Sequence, residues 1–314
     1  MSIIHVVSVS GGKDSAATLL IALLRFGKHR VRAIFCDTGN EHQAVYAYLD
    51  YLEDLLGLPI HRLRADFTER FAVHRARLEA IAAGGPDYHP TAKFQWTVER
   101  AAQAAALMHP TGNPFLDLCL LKGIFPSHGR QFCTEELKRN PAVEFQMDLV
   151  DQGYSVVSWQ GVRRDESARR RDVRRFERIA PRMYAYRPIV DWTADAVFGF
   201  LAQHGIAPNP LYLQGMDRVG CMPCINVGKS ELRQIASRFP EHIQRIAEWE
   251  KLVNEVSRSG KASFLFSGGW ERIHERVEWA QTSYGGRQYD LLSDLEEPSA
   301  CASSYGLCDS GVAA

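Results

Sequence analysis

The chain has 314 residues, 46% hydrophobic and 24% charged, with 37 basic and 37 acidic side chains and no net charge. These globular values exclude disordered, collagen-like and fibrous classes, and the balance excludes a globally basic nucleic-acid binder while leaving room for a local basic face. No apolar run reaches the ~18 residues that span a bilayer, and the start, MSIIHVVSVSGGKDS, has no basic leader, so a cytoplasmic protein without a membrane partner is expected. Seven cysteines in such a chain read as reduced thiols, metal ligands or redox groups rather than a disulfide framework.

The first forty residues are the most legible. IIHVVSV, from Ile3, is a β-branched apolar run that predicts a buried strand. Ser10, Gly11, Gly12, Lys13, Asp14 and Ser15 follow, and AATLLIALLRFG predicts a helix that stops at Gly27. VRAIFC predicts a second strand ending in DTGNEH, AVYAYLDYLEDLLG a second helix, and LPIHRLRA a third strand. Strands alternating with helices predict an α/β fold with a doubly wound, mostly parallel sheet. From Gly84 the pattern weakens. GGPDYHPTAK and HPTGNPF read as breaks around a helical TVERAAQAAALM. VEFQMDLVDQG predicts a helix, and YSVVSWQG a strand returning to the sheet. An arginine-rich stretch leads to DWTADAVFGFLAQHG, a helix with Asp191 and Thr193 as cap candidates. GCMPCINVGKSE, a long helical region and a small polar tail from Glu296 complete the chain. The economical organisation is an α/β core over residues 1–225 and a C-terminal helical, cysteine-bearing extension over 226–314.

SGGKDS lies between a strand and a helix. Two glycines let backbone approach a phosphate, and the turn's amides and the helix N-terminus point at the anion. Lys13 adds a point charge; Asp14 and Ser15 can cap the helix, and Asp14 can help hold Mg²⁺. This is not a Walker loop: the only GK[ST] is Gly228-Lys229-Ser230, with Pro223 where the leading glycine belongs. No GxGxxG exists, so a dinucleotide site has no support. FSGGW near Ser267 lacks Lys-Asp and reads as a turn.

Cys221 and Cys224 form a CxxC, which fits a redox pair, a zinc half-site or an iron–sulfur half-site. Cys133 is a candidate further ligand, whereas Cys36 and Cys119 sit in apolar contexts and read as core. Soft thiolates suit zinc and iron–sulfur alike, so spacing does not choose. Nine arginines lie between Arg163 and Arg182, opposed by Asp165, Glu166, Asp172 and Glu177. They fit anion binding or a solvated face with internal ion pairs. Phe176 is the one interleaved aromatic, so a single-strand stacking groove is not expected.

SGGKDS resembles the PP-loop of the ATP pyrophosphatase superfamily, also called adenine-nucleotide α-hydrolase-like, and DTGNEH resembles the DTG motif of its phosphoadenosine phosphosulfate (PAPS) reductase branch. RQFCTEELKRNP, GVRRDESARR and NPLYLQGMDRVGCMPC look like the same branch, giving five motifs in order over roughly residues 1–240. The resemblance implies a nucleotide over the C-terminal ends of the strands, with Asp37, Thr38 and Gly39 at that edge. It implies that Arg163, Arg164 and Arg170 face an anionic substrate, with Lys138 as a further phosphate ligand. The cysteine layout is similar to cluster-bearing sulfonucleotide reductases. It implies a [4Fe-4S] cluster, with zinc as the alternative, on Cys133, Cys221, Cys224 and a tail cysteine, Cys308 or alternatively Cys301. The implied activity is ATP- and Mg²⁺-dependent adenylation of an acceptor for sulfur transfer, with Lys13, Asp14, Arg163 and Arg164 catalytic. The ATP-pyrophosphatase subunit of DNA phosphorothioation systems looks similar, implying a cysteine desulfurase as sulfur donor and DNA within a modification complex as partner. The alternatives are a PAPS or adenylyl-sulfate reductase, whose ECGLH-type tail motif is YGLCD here, the small subunit of ATP sulfurylase, and a non-enzymatic iron–sulfur or zinc module.

Overall fold

A computed structural model describes residues 2–87, 94–265 and 272–282. The chain divides into two compact units, each discontinuous in sequence.

The first unit holds residues 2–64 and 134–226 and is built on one sheet. Strand β1 (Ile3–Ser8) leads into helix α1 (Lys13–Phe26), then β2 (Val31–Cys36), α2 (Gln43–Leu56) and β3 (Ile60–Leu63). β1 is buried from its second residue onward, as a β-branched strand covered on both faces must be. Gly27 closes α1, its amide donating to the Leu23 carbonyl. Gly57 ends α2 in the left-handed conformation, which glycine adopts without a Cβ clash.

In the second unit, built from the described residues of 65–133 and 227–282, come α3 (Thr68–Ala82), α4 (Val98–Leu107) and α5 (Pro114–Lys122). The single turn α6 (Phe132–Thr134) carries the chain back, through a π-helical segment Glu135–Arg139, to α7 (Asn140–Asp151). Strand β4 (Ser155–Trp159), the hairpin β5 (Phe176–Ala180) and β6 (Met183–Tyr186), and helices α8 (Ala194–Gln203) and α9 (Pro210–Leu213) finish the first unit. Thr193 caps α8, accepting from the Ala196 amide at 3.2 Å. The second unit ends with α10 (Lys229–Arg238), α11 (Pro240–Glu255) and α12 (Ile273–Gln281). The helical segment expected within a continuous core over 1–225 therefore groups with the C-terminal helices. The reason is apolar: Phe115 stacks on Trp249 at 5.7 Å, and Phe125 meets Phe264 edge-on at 5.6 Å. Glu250, buried, ties this unit together by accepting from the amides of Phe264 and Ile273. Burial pushes its carboxyl pKa up, against those same hydrogen bonds.

The sheet order is β3-β2-β1-β4-β6-β5, parallel except for β5, which runs antiparallel to β6. Chain order therefore reverses between β1 and β4. In an open sheet of this kind ligands bind outside the carboxyl ends of the strands flanking such a switch point.

Candidate functional site

The carboxyl end of β1 opens into Ser10–Ser15. The Ser10 amide and hydroxyl both reach the Ser15 hydroxyl, at 3.0 and 3.2 Å, and Ser15 donates to the Gly12 carbonyl at 2.9 Å. The loop thus closes on itself. Gly11 has φ +79°, and a Cβ there would lie 2.9 Å from a Val45 methyl. Gly12 starts α1 without a side-chain cap. The Lys13 amide donates to the Tyr212 hydroxyl at 3.1 Å, and Asn209 clamps the Gly11 carbonyl at 3.1 Å. Among the described residues the amides of Gly11 and Gly12 meet no acceptor. Lys13 is buried, its Nζ 5.3 Å from the centre of the Tyr212 ring and 5.8 Å from that of Phe198. An uncapped helix N-terminus with free amides and a held ammonium is an anion-binding arrangement.

Across the switch point, β4 leads to Gly161, Val162 and Arg163. A Cβ on Gly161 would lie 2.8 Å from the Asp14 backbone carbonyl, so only glycine lets this turn pack against α1. Arg163, fully buried, donates through Nε to Asp14 at 2.7 Å and through Nη1 to both Asp165 oxygens at 2.6 and 2.7 Å. The other Asp14 oxygen lies 3.2 Å from Lys13 Nζ. Arg170, also buried, pairs with Glu166. Arg164 pairs with Asp191 and donates to the Val173 carbonyl. All three arginines named as substrate-facing are therefore engaged by protein acceptors, and Asp14 is held between Lys13 and Arg163.

At the end of β2, Gly39 donates to Asp37 at 2.9 Å, and Tyr46 donates to the same oxygen at 2.8 Å. Burial, with Glu41 and Asp37 nearby, pushes the Tyr46 hydroxyl pKa well up, which keeps it a donor. Thr38 is bound twice by Glu41, through its amide at 3.2 Å and its hydroxyl at 2.7 Å. The CxxC loop straps onto this turn. The Met222 amide donates to the Asn40 carbonyl at 2.8 Å, and the Asn40 side chain donates to the Pro223 carbonyl at 3.0 Å. Cys221 Sγ lies 3.5 Å from both Glu41 Oε1 and Thr38 Oγ1. Lys138 is turned inward from the π-helical segment, a local irregularity that often marks functional positions. It lines a small cleft with Ser10, Cys36 and Glu41, and its carbonyl accepts from the Cys36 thiol at 3.3 Å.

The structure thus brings Ser10–Ser15, Lys138, Asp37–Gly39 and the Cys221/Cys224 pair into one unit around the strand ends. Cys221 and Cys224 are half-buried and offer two soft ligands on one loop, the donor chemistry of half a thiolate site. Cys133 is half-buried in the second unit, while Cys301 and Cys308 lie outside the described residues. Cys36 and Cys119 are core residues, and burial pushes the Cys119 thiol pKa well up. Sequence reasoning passed over Asn40, Glu41, Gly161, Asn209 and Tyr212. The first two stand in DTGNEH and the others in or beside quoted motifs, but their partners are far away in sequence.

A protein of Escherichia phage 186, described as an uncharacterized 37.8 kDa protein, is 41% identical over 98% of this chain and 97% of its own length. An uncharacterized nin region protein of phage lambda is 26% identical over 77% of this chain and 72% of its own. The adenosine 5'-phosphosulfate reductase of Rhizobium tropici is 32% identical over 25% of this chain and 44% of its own. The crystal structure of a PAPS reductase from Candida auris aligns with a TM-score of 0.42 at 12% identity, over 71% of this chain and 83% of that one. Residues 4–227 match the phosphoadenosine phosphosulfate reductase domain family, and the chain belongs to it.

Proposed function

We propose that the protein is an ATP pyrophosphatase-type enzyme that adenylates an acceptor as the first half of a sulfur transfer. The observation that carries this reading is the Ser10–Ser15 turn, with two amides that meet no acceptor among the described residues and a buried Lys13 at the sheet's switch point. Amides at a helix N-terminus beside an ammonium suit the phosphate groups of a nucleotide. An acceptor oxygen attacks the α-phosphorus, the bond to pyrophosphate breaks, and pyrophosphate leaves with the electron pair. The terminal sulfur of a persulfide on the donor then attacks the activated centre, and AMP leaves with the electron pair. A second thiol, the two-electron reductant, cleaves the resulting S–S bond and leaves the transferred sulfur on the acceptor as a thiolate. Lys13 and the loop amides stabilise charge on the leaving pyrophosphate, Mg²⁺ entering with the nucleotide. Asp14 and Arg163 hold the loop's first helical turn, and Lys138 faces the same cleft. The acceptor proposed is DNA within a modification complex, with a cysteine desulfurase as donor.

A metal centre belongs to the same proposal. Cys221 and Cys224 would hold a [4Fe-4S] cluster, or zinc, with Cys133 and Cys308 or Cys301 completing the thiolates. No step of the reaction is assigned to it. Iron and zinc content of anaerobically purified protein, with Cys221→Ser beside it, tests the pair directly.

The second reading, reduction of PAPS or adenylyl sulfate, is favoured by the family and by the short match to adenosine 5'-phosphosulfate reductases. One experiment separates the two. The purified chain is given ATP or PAPS, with thioredoxin present, and pyrophosphate and sulfite are measured. Pyrophosphate from ATP that disappears in Lys13→Ala is the expected result; sulfite from PAPS without pyrophosphate from ATP overturns the proposal.

A further inference from the structure

We infer that the β5–β6 edge of the first unit binds single-stranded nucleic acid, through a stacked aromatic pair set among arginines that have no carboxylate partner among the described residues. This goes beyond the loop chemistry and does not depend on it. Arg169, Arg171, Arg174 and Arg178 are exposed, and among the described residues none has a carboxylate partner. The nearby acids are taken: Glu177 by Arg187, Asp165 by Arg163, and Asp191 by Arg164 and Arg175. Asp172 alone opposes the four. A chain with no net charge therefore concentrates positive charge along one stretch.

The same stretch carries an exposed ring. Phe176 is 55% exposed although Tyr184 stacks on it, at 5.6 Å between centres and 13° between planes. Strand pairing sets Phe176 opposite Tyr186 and Arg178 opposite Tyr184, so all four share one face of the hairpin. Arg25 joins them by donating to the Tyr186 hydroxyl at 3.1 Å. The linear reading found a lone aromatic among the arginines; the hairpin supplies the second from the next strand. An open π-surface beside arginines is what unpaired bases and their phosphates require. A duplex hides its base faces, and an acidic peptide has no use for the ring.

The test is fluorescence anisotropy of the full chain with a labelled, mixed-sequence single-stranded DNA of about 20 nucleotides, long enough for the ~4–16-nucleotide sites such surfaces occupy. Phosphate contacts by four arginines predict a log–log salt slope of about −3. Phe176→Ala is expected to weaken binding roughly tenfold, in line with the loss of one stacked base, and Phe176→Trp to keep it. Because the ring is 55% exposed, thermal unfolding should be unchanged in Phe176→Trp and fall by no more than a few degrees in Phe176→Ala, the loss of the Tyr184 stack. Arg174→Gln with Arg178→Gln should flatten the salt slope by about 1.4. No binding, equal or tighter binding of the same sequence as duplex, equal binding of polyglutamate, or an unchanged affinity in Phe176→Ala would each overturn the inference.

Discussion

Two sets of arginines leave one run of sequence in opposite directions. Arg163 and Arg170 are buried, held by Asp14, Asp165 and Glu166. Arg169, Arg171, Arg174 and Arg178, interleaved with and following them, face water without a carboxylate among the described residues. The difference lies in where acids are placed in space. Asp14 is 149 residues from Arg163 and reaches it only because β1 and β4 are neighbours. A buried charge persists only when paired and hydrogen-bonded. The inner set therefore builds the site's frame, and the outer set stays available to a partner.

The sharpest way to break this contrast is to remove an inner cation. Arg163→Met leaves Asp14 and Glu166 buried with fewer compensating donors, and breaking such a pair costs about 3–5 kcal/mol. Chemical denaturation should show that loss. A change below about 1 kcal/mol, the range of exposed pairs, would mean that the buried network contributes no more than the surface does.

His5 extends the contrast to a buried base with no acid beside it among the described residues. Its ring stacks on Phe26 at 3.7 Å and accepts from Trp159 Nε1 at 3.0 Å. Burial, helped by Arg30, lowers its pKa from 6.5 to about 4. The unfolded chain then binds a proton between these values and the folded chain does not. Stability from this group is complete above 6.5, falls as pH drops from 6.5 to about 4 and levels off below that, the whole loss being at most roughly 3 kcal/mol. His5→Phe should flatten the stability–pH curve over that window; an identical curve would show that His5 takes no part.

Gly161→Ala probes the contact that aligns the inner set. The added Cβ meets the Asp14 carbonyl at 2.8 Å, and backbone cannot swing away as a flexible side chain can. Overpacking of this kind costs about 1–3 kcal/mol. The first turn of α1 must shift, so ATP affinity in a calorimetric titration should fall even where the protein remains folded.

What was legible in the sequence was local. A β-branched run, SGGKDS and an apolar helix are contiguous, and the strand–helix alternation carried the parallel sheet. The DTG turn was visible for the same reason. What stayed hidden was long-range. Tyr212 meets the Lys13 amide across 199 residues, and Asn40 reaches the Pro223 carbonyl across 183. The π-helical segment that turns Lys138 inward has no signature in EELKR. Residues 65–133 look like an interruption of the α/β core because their partners, Trp249 and Phe264, come late in the chain. The hairpin escaped notice because arginines mask the alternation of Phe176, Arg178 and Ala180.

The smallest expected effect completes the contrast. Arg169→Gln with Arg174→Gln removes two outer cations that touch no carboxylate among the described residues. Nothing buried loses a partner, so unfolding free energy should stay within about 0.5 kcal/mol of the parent. The weak repulsion among neighbouring arginines is screened over about 10 Å at 0.1 M salt, so any gain in stability should appear at low salt and vanish as salt rises. A guanidinium is a strong donor that a folded chain buries only with partners. Four left exposed on one segment, with no carboxylate partner among the described residues, contribute little to folding, and their effect should appear instead in what the surface attracts. Denaturation of the double variant at low and high salt checks this. A loss above about 1 kcal/mol at both salts would mean that these side chains support the fold and are not free for a partner.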